Sequence, residues 1–198
     1  MTPRHRLAVA LWAGLLFLGA VAVPGCAARR PADVTFHDPN MDFSLVQRAA
    51  VLPFANLTTN QAAGERVRDV FMTMLQATGS VYVLPPGEVA RGLGRARVAN
   101  PAQPTPEEVT SLAKELGANA VIAGTVREYG EVRSGNASGN VIALSLQMFE
   151  ADSGRLIWSA SSSKGGITAK DRMLGTGGEP MNDVTEQAVH DLLDKLFE

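Results

Sequence analysis

The chain has 198 residues, which on length alone is one domain with a tail. Its composition, 45% hydrophobic and 19% charged, is that of a globular protein. The net charge of −2 argues against a phosphate-neutralising nucleic-acid face, and a single cysteine excludes an intrachain disulfide.

Arg4, His5 and Arg6 form a basic start, and Leu7 to Val23 is uncharged and apolar. Val23-Pro24-Gly25-Cys26 follows, with the only cysteine directly behind a small residue. A basic region, an apolar stretch and a small residue before the cut describe a secretory signal. At 17 residues, interrupted by Gly14 and Gly19, the stretch is at the short edge of what spans a bilayer. The position of Cys26 resembles a lipobox, in which the thiol takes a diacylglycerol and becomes the new N-terminus. Residues 1–25 are then signal peptide, and Cys26 is the lipidation site. Without Arg4 and Arg6 the 18 basic residues fall to 16, so the mature chain carries a net charge of −4. Ala27, where enteric bacteria use Asp to retain lipoproteins in the inner membrane, favours the periplasmic face of the outer membrane.

Residues 26–47 show no clear period, contain Pro31 and Pro39, and read as lipidated terminus and tether, reaching at most about 75 Å. Residues 48–198 read as the domain. Arg48 to Phe54 is a short buried strand. Ala63, Val67, Val70, Phe71, Met74 and Leu75 follow helical spacing. Val81 to Leu84 is a strand stopped by Pro85-Pro86, and residues 87–98 are a short helix. Thr105-Pro106-Glu107-Glu108 signs the next helix by capping box and N1 proline, and Gly117 ends it. Ala120 to Val126 is a buried strand.

Residues 130–140 then read as a polar loop. Ile142, Leu144, Leu146 and Met148 alternate with smaller or polar residues as a two-faced strand. Asp152-Ser153-Gly154 turns the chain into a returning strand at Leu156, on which Trp158 is a packing residue. Residues 164–179 are a Gly-rich loop, and Val184, Ala188, Leu192 and Leu196 mark a terminal helix. The order β-α-β-α-α-β-β-β-α is one α/β domain with a mixed sheet.

No chemical constellation survives a residue-by-residue search. His190 has Glu186 and Asp194 one turn away, the pattern of a solvated helix face. The serines at 159 and 161–163 lack a nucleophile elbow, and Gly92-Leu93-Gly94 lacks the third glycine of a dinucleotide loop. A binding module is expected, with no cofactor, no metal and no small-molecule substrate. A hydrolase using Ser161 or His190 is the competing class. The two Gly-rich loops are the candidate partner surface, with Arg133 and Asn136 in the first and Lys170 and Arg172 in the second.

The residues also carry a family resemblance. Ala50-Val51-Leu52-Pro53-Phe54, Asn56, and Gly117 through Val126 look like the periplasmic domains of CsgG and LpoB and the N-terminal part of TolB. Leu146-Gln147-Met148 with Ser153 to Ser159 is similar to the LpoB hairpin, and Gly178-Glu179-Pro180 to CsgG. The resemblance covers residues 48–197 and implies a non-catalytic accessory of envelope assembly or secretion that binds an envelope protein or a second copy. LpoB-like proteins activate a peptidoglycan synthase, and CsgG-like proteins form secretion pores. This chain has no propeller as in TolB. Where CsgG has long amphipathic hairpins it offers only 130–140 and 164–179, so a pore is not expected.

Intact-mass measurement of the native protein should show Cys26 carrying acyl chains, and Cys26→Ala should abolish them. Native protein without an acyl adduct contradicts the lipobox reading.

Overall fold

A computed structural model describes residues 34–174 and 178–198. Cys26 and the whole signal segment lie outside the described residues. In chain order the elements are β1 (Thr35–His37), a 3-10 turn (Phe43–Leu45), β2 (Arg48–Val51), β3 (Ala55–Asn56), α1 (Ala63–Ala77), β4 (Tyr82–Val83), α2 (Pro86–Ala96), α3 (Pro106–Leu116), β5 (Ala120–Ser134), β6 (Ala137–Glu150), β7 (Leu156–Gly165), α4 (Ala169–Leu174) and α5 (Met181–Phe197). The seven strands form one sheet ordered β1-β7-β6-β5-β2-β4, with β3 continuing beside β5. β2 pairs parallel with β4 and β5, and β5, β6, β7 and β1 pair antiparallel. This is the mixed α/β sheet that the sequence order implies.

β2 is the central parallel strand, and Ala49, Ala50 and Val51 are all buried. A strand covered on both faces reads as a continuous apolar run, which is how Arg48 to Phe54 was recognisable. Ala49 and Val51 join Val67, Phe71 and Leu75 of α1 and the apolar stripe of α5 on one face. Ala50 and Leu52 join Val89 of α2 and Val109, Leu112 and Leu116 of α3 on the other. α3 begins with the expected capping box, Thr105 and Glu108 each bonding the other's backbone N–H, and ends at Gly117 with φ 61°. At Gly92 a Cβ would lie 2.6 Å from Leu116 Cδ2, so the missing side chain is what lets α2 settle on α3.

Trp158 is fully buried, and its indole Nε1 donates to the Lys195 carbonyl of α5 at 3.1 Å. The β6–β7 register slips between Met148 and Phe149, where Phe149 opposes Leu156 and Met148 opposes Trp158. This bulge places consecutive residues Ile157 and Trp158 in the same core.

Three expectations are corrected. Residues 35–46 are not tether: β1 pairs with β7 over Thr35–Ala160, Phe36–Ser159 and His37–Trp158, and Val46 is buried. A three-residue edge strand is too short to show alternation, which hid it. Residues 130–140 are not a loop but the closed end of a β5–β6 hairpin paired to Ser134–Ala137. Charged residues on both sides of Gly130 concealed the period. Residues 164–179 contain the end of β7 and the helix α4.

Replacing Trp158 with Ala should cost about 3–5 kcal/mol of stability, a large part of the roughly 5–15 kcal/mol total. Trp158→Phe leaves the Lys195 carbonyl without its donor and should cost about 1–3 kcal/mol. Chemical denaturation checks both, and an Ala variant with an unchanged midpoint contradicts the packing role.

Candidate protein-interaction surface

β5 changes character along its length. Ala120 to Gly124 and Val126 are buried, whereas residues 127–134 are exposed or half-buried. Up to Val126 the strand has β6 on one side and β2, then β3, on the other, the last bond being Leu57 N–H to the Val126 carbonyl at 2.9 Å. A bulge between Val126 and Glu128 follows. Beyond it no described strand pairs with β5 on the side away from β6. Residues 127–134 therefore present about 25 Å of open strand edge.

The hairpin end is built for a tight turn. Ser134 and Ala137 are opposite each other, and Gly135 between them has φ 59°. Glycine at the first central position with positive φ suits a two-residue turn matched to strand twist. Arg133 donates to Glu131 Oε2 from Nε at 3.1 Å and Nη2 at 2.8 Å, and both side chains are exposed. The Arg133 bond holds the Glu131 carboxyl below its ordinary range. Asn136 is exposed in the turn.

The second Gly-rich segment folds against this arm. Gly165 and Gly166, at φ 83° and 100°, reverse the chain after β7, and Gly166 N–H donates to the Asn140 carbonyl at 2.7 Å. Thr168 and Asp171 cap the start of α4 reciprocally, at 2.9 and 3.2 Å. The chain then returns, with Gly178 N–H on the Ser138 carbonyl at 2.9 Å and Asn140 Nδ2 on the Glu179 carbonyl at 2.8 Å. A Cβ on Gly139 would lie 2.4 Å from the Gly166 carbonyl oxygen, so this close backbone approach requires glycine.

The structure thus brings the two sequence-predicted segments together at one end of the sheet. Arg133 and Asn136 sit at the hairpin end, and Arg172 is exposed on α4. Lys170 is also on α4, but its side chain lies outside the described residues. The open edge of β5 was missed. Its sequence signal was Gly135-Asn136 between two stretches of similar length, a two-residue hairpin signal.

The residues weighed for catalysis are placed otherwise. His190 Nδ1 is 2.9 Å from Asp194 Oδ2 on an exposed face, while Glu186 accepts from Asn182. Among the described residues no three His, Cys, Asp or Glu side chains gather as metal ligands. The tightest ionic cluster is Asp191, which takes Lys164 Nζ and Lys195 Nζ at 2.7 Å each; Lys195 also donates to the Ser161 carbonyl at 3.1 Å. Partial burial raises the Asp191 pKa, but the bonds from Lys164 and Lys195 outweigh it and hold the carboxyl down at about 2. The cluster ties α5 to β7.

The arm and its open edge sit on a fold shared with solved proteins. No protein-family model and no curated protein matches the sequence. A PelC variant from Paraburkholderia phytofirmans, solved as a dodecamer, aligns at a TM-score of 0.58 with 17% identity, over 84% of this chain and 98% of that one. Lipoprotein GNA1162 from Neisseria meningitidis aligns at 0.55 with 17% identity, over 76% and 98%. The chain has the fold of these proteins. The LpoB C-terminal domain from Escherichia coli aligns at 0.44 over 60% of this chain, too faintly to carry an argument.

Asp191 has a depressed pKa, so its stabilisation is complete above the unfolded value of 3.8 and is lost as pH falls through about 2. Asp191→Asn should therefore cost about 1–2 kcal/mol near neutrality. That deficit should shrink steadily between pH 4 and pH 2. A deficit independent of pH in urea melts contradicts the ionic assignment.

Proposed function

We propose that this chain is a non-catalytic, lipid-anchored protein of the bacterial envelope that works by protein–protein contact at the periplasmic face of the outer membrane. The observation that carries the reading is the open edge of β5 over residues 127–134. An unpaired edge offers a row of backbone donors and acceptors to an incoming strand, and main-chain bonds supply the affinity in such pairing. Arg127, Glu128, Glu131 and Arg133 guard the edge against indiscriminate pairing and make the partner selective.

Self-assembly is the first form of this contact. PelC, similar in fold over nearly its whole length, was solved as a dodecamer. GNA1162, of the same fold, is described as a lipoprotein, in keeping with the lipobox at Cys26. The lipid anchor restricts the search for partners. Between Cys26 and Val34 only residues 27–33 intervene, about 25 Å at full extension, so the domain works close to its membrane. The arm is not read as a pore strand. Its outer part bears four charges in eight residues, where a lipid-facing strand needs an alternating apolar face.

A photo-crosslinking amino acid at position 132 should trap a second copy or an envelope protein in intact cells. The same group at Arg91, on the exposed side of α2, should not. Glu128→Lys/Val132→Lys should disperse the detergent-extracted assembly while leaving the melting temperature nearly unchanged. Assembly size and crosslinks identical to wild type in that variant overturn the proposal.

A further inference from the structure

The open edge of β5 has a fixed orientation. The carbonyls of Ser138 and Asn140 on β6 accept from Gly178 and Gly166, on the side away from β5. Their opposite numbers on β5 are Arg133 and Glu131. In an antiparallel ladder, two opposite residues either exchange their backbone bonds or both turn them away from each other. Arg133, Glu131 and, by the same alternation, Tyr129 therefore present N–H and C=O to the open side. Gly130, Val132 and Ser134 direct theirs to β6.

This alternation restricts how a second copy can add. Antiparallel pairing of β5 with its own copy is isologous, about a two-fold axis. Outward residues must meet outward residues, so the axis passes through a residue and never between two. With the axis at Gly130 or Glu131, the tip of the second copy's arm reaches Val126, where β3 is already paired. The axis at Glu131 also sets that carboxylate against its own copy, and the axis at Arg133 does the same with two guanidinium groups. Like charges directly opposite are destabilising. At Val132 every conflict disappears. Val132 meets Val132, Glu131 meets Arg133 twice, and Gly130 meets Ser134. The second copy's turn then ends opposite Glu128, short of β3. Among the described residues of the arm, Val132 is the one large apolar side chain that is exposed, at 40%.

We propose that the β5 edges of two copies pair antiparallel about a two-fold axis through Val132, so that β6, β5 and their two copies form one four-stranded sheet. This rests on the edge-contact reading above and names the occupant as a second copy of this chain. Glu131 and Arg133, bonded within one arm at 2.8 and 3.1 Å, each gain an opposite charge across the axis. The contact is short, with about four backbone hydrogen bonds and one apolar pair. Tethering two copies in one membrane raises their effective concentration and makes so small a contact sufficient.

The test uses the full chain in its native envelope, with wild type as the control for Cys26. A non-hydrogen-bonded pair brings its Cα atoms to about 4.5 Å, inside the range of about 4.4–6.8 Å that a disulfide spans. Val132→Cys should therefore give a disulfide-linked dimer when envelopes are treated with diamide. Gly130→Cys or Ser134→Cys alone should not, since each lies about 13 Å along the strands from its own copy. Co-expressed, those two should crosslink to each other. Glu131→Arg or Arg133→Glu, each added to Val132→Cys, should cut the dimer about tenfold. Co-expression of the two charge variants should restore it as a mixed dimer. A dimer indifferent to either charge reversal, or Gly130→Cys alone crosslinking as well as Val132→Cys, overturns the proposal. So does the absence of any dimer from Val132→Cys. If photo-crosslinking at 132 then still traps another envelope protein, the edge contact stands and only the second copy is refuted; if it traps nothing, both readings fall.

Discussion

β5 is paired on both sides as far as Val126 and on one side beyond it, and the rest of the molecule is arranged around that change. In its first half the strand is flanked by β6 on one side and by β2, then β3, on the other, and its side chains point into two cores. In its second half the strand keeps β6 but leaves the parallel layer behind, because β2 ends at Val51 and β3 at Asn56. What remains is a β5–β6 ribbon that β7 flanks as far as Val141 and that is two-stranded beyond it. Ribbons of this kind are marginal alone. This one is held near its closed end by Gly166 and the returning segment 178–179, bonded to Ser138 and Asn140 of β6. The glycines at 139, 165 and 178 are the condition for that support, since a Cβ on each would meet neighbouring backbone.

The two ends of the sheet differ in character. One end carries the arm, exposed and charged, with its edge open. The other carries β1 and the 3-10 turn that follows it. α5 spans between them and is locked to β7 by Trp158 on the Lys195 carbonyl and by the Lys164–Asp191–Lys195 cluster.

Long periodic elements were legible in the sequence. α1 showed its stripe, α3 its capping box and Gly117 stop, and β6 its alternation, because each carries a strong local signal. β1 and β3 were not legible, having three and two residues, too few for a period. The outer half of β5 was lost for a different reason. Strand pattern is read from burial, and an arm exposed on both faces has none to read. Only the Gly135-Asn136 turn betrayed it. The candidate residues Arg133, Asn136 and Arg172 fell together at one end of the sheet because glycine clusters mark chain reversals. The feature that gives that end its chemistry, an unpaired backbone edge, depends on where β2 and β3 stop, which no residue in β5 reports. His37 was likewise placed in a tether and passed over.

Amide hydrogen exchange tests the central claim most directly. In the isolated domain, amides of residues 120–126 should be strongly protected, and the outward-facing amides of 127–134 should exchange as open backbone. In the assembled protein extracted from envelopes, the outward-facing amides of 127–134 should become protected while 120–126 stay as they were. Exchange at 127–134 that is the same in both states would show that the edge of β5 is not where this protein meets its partner.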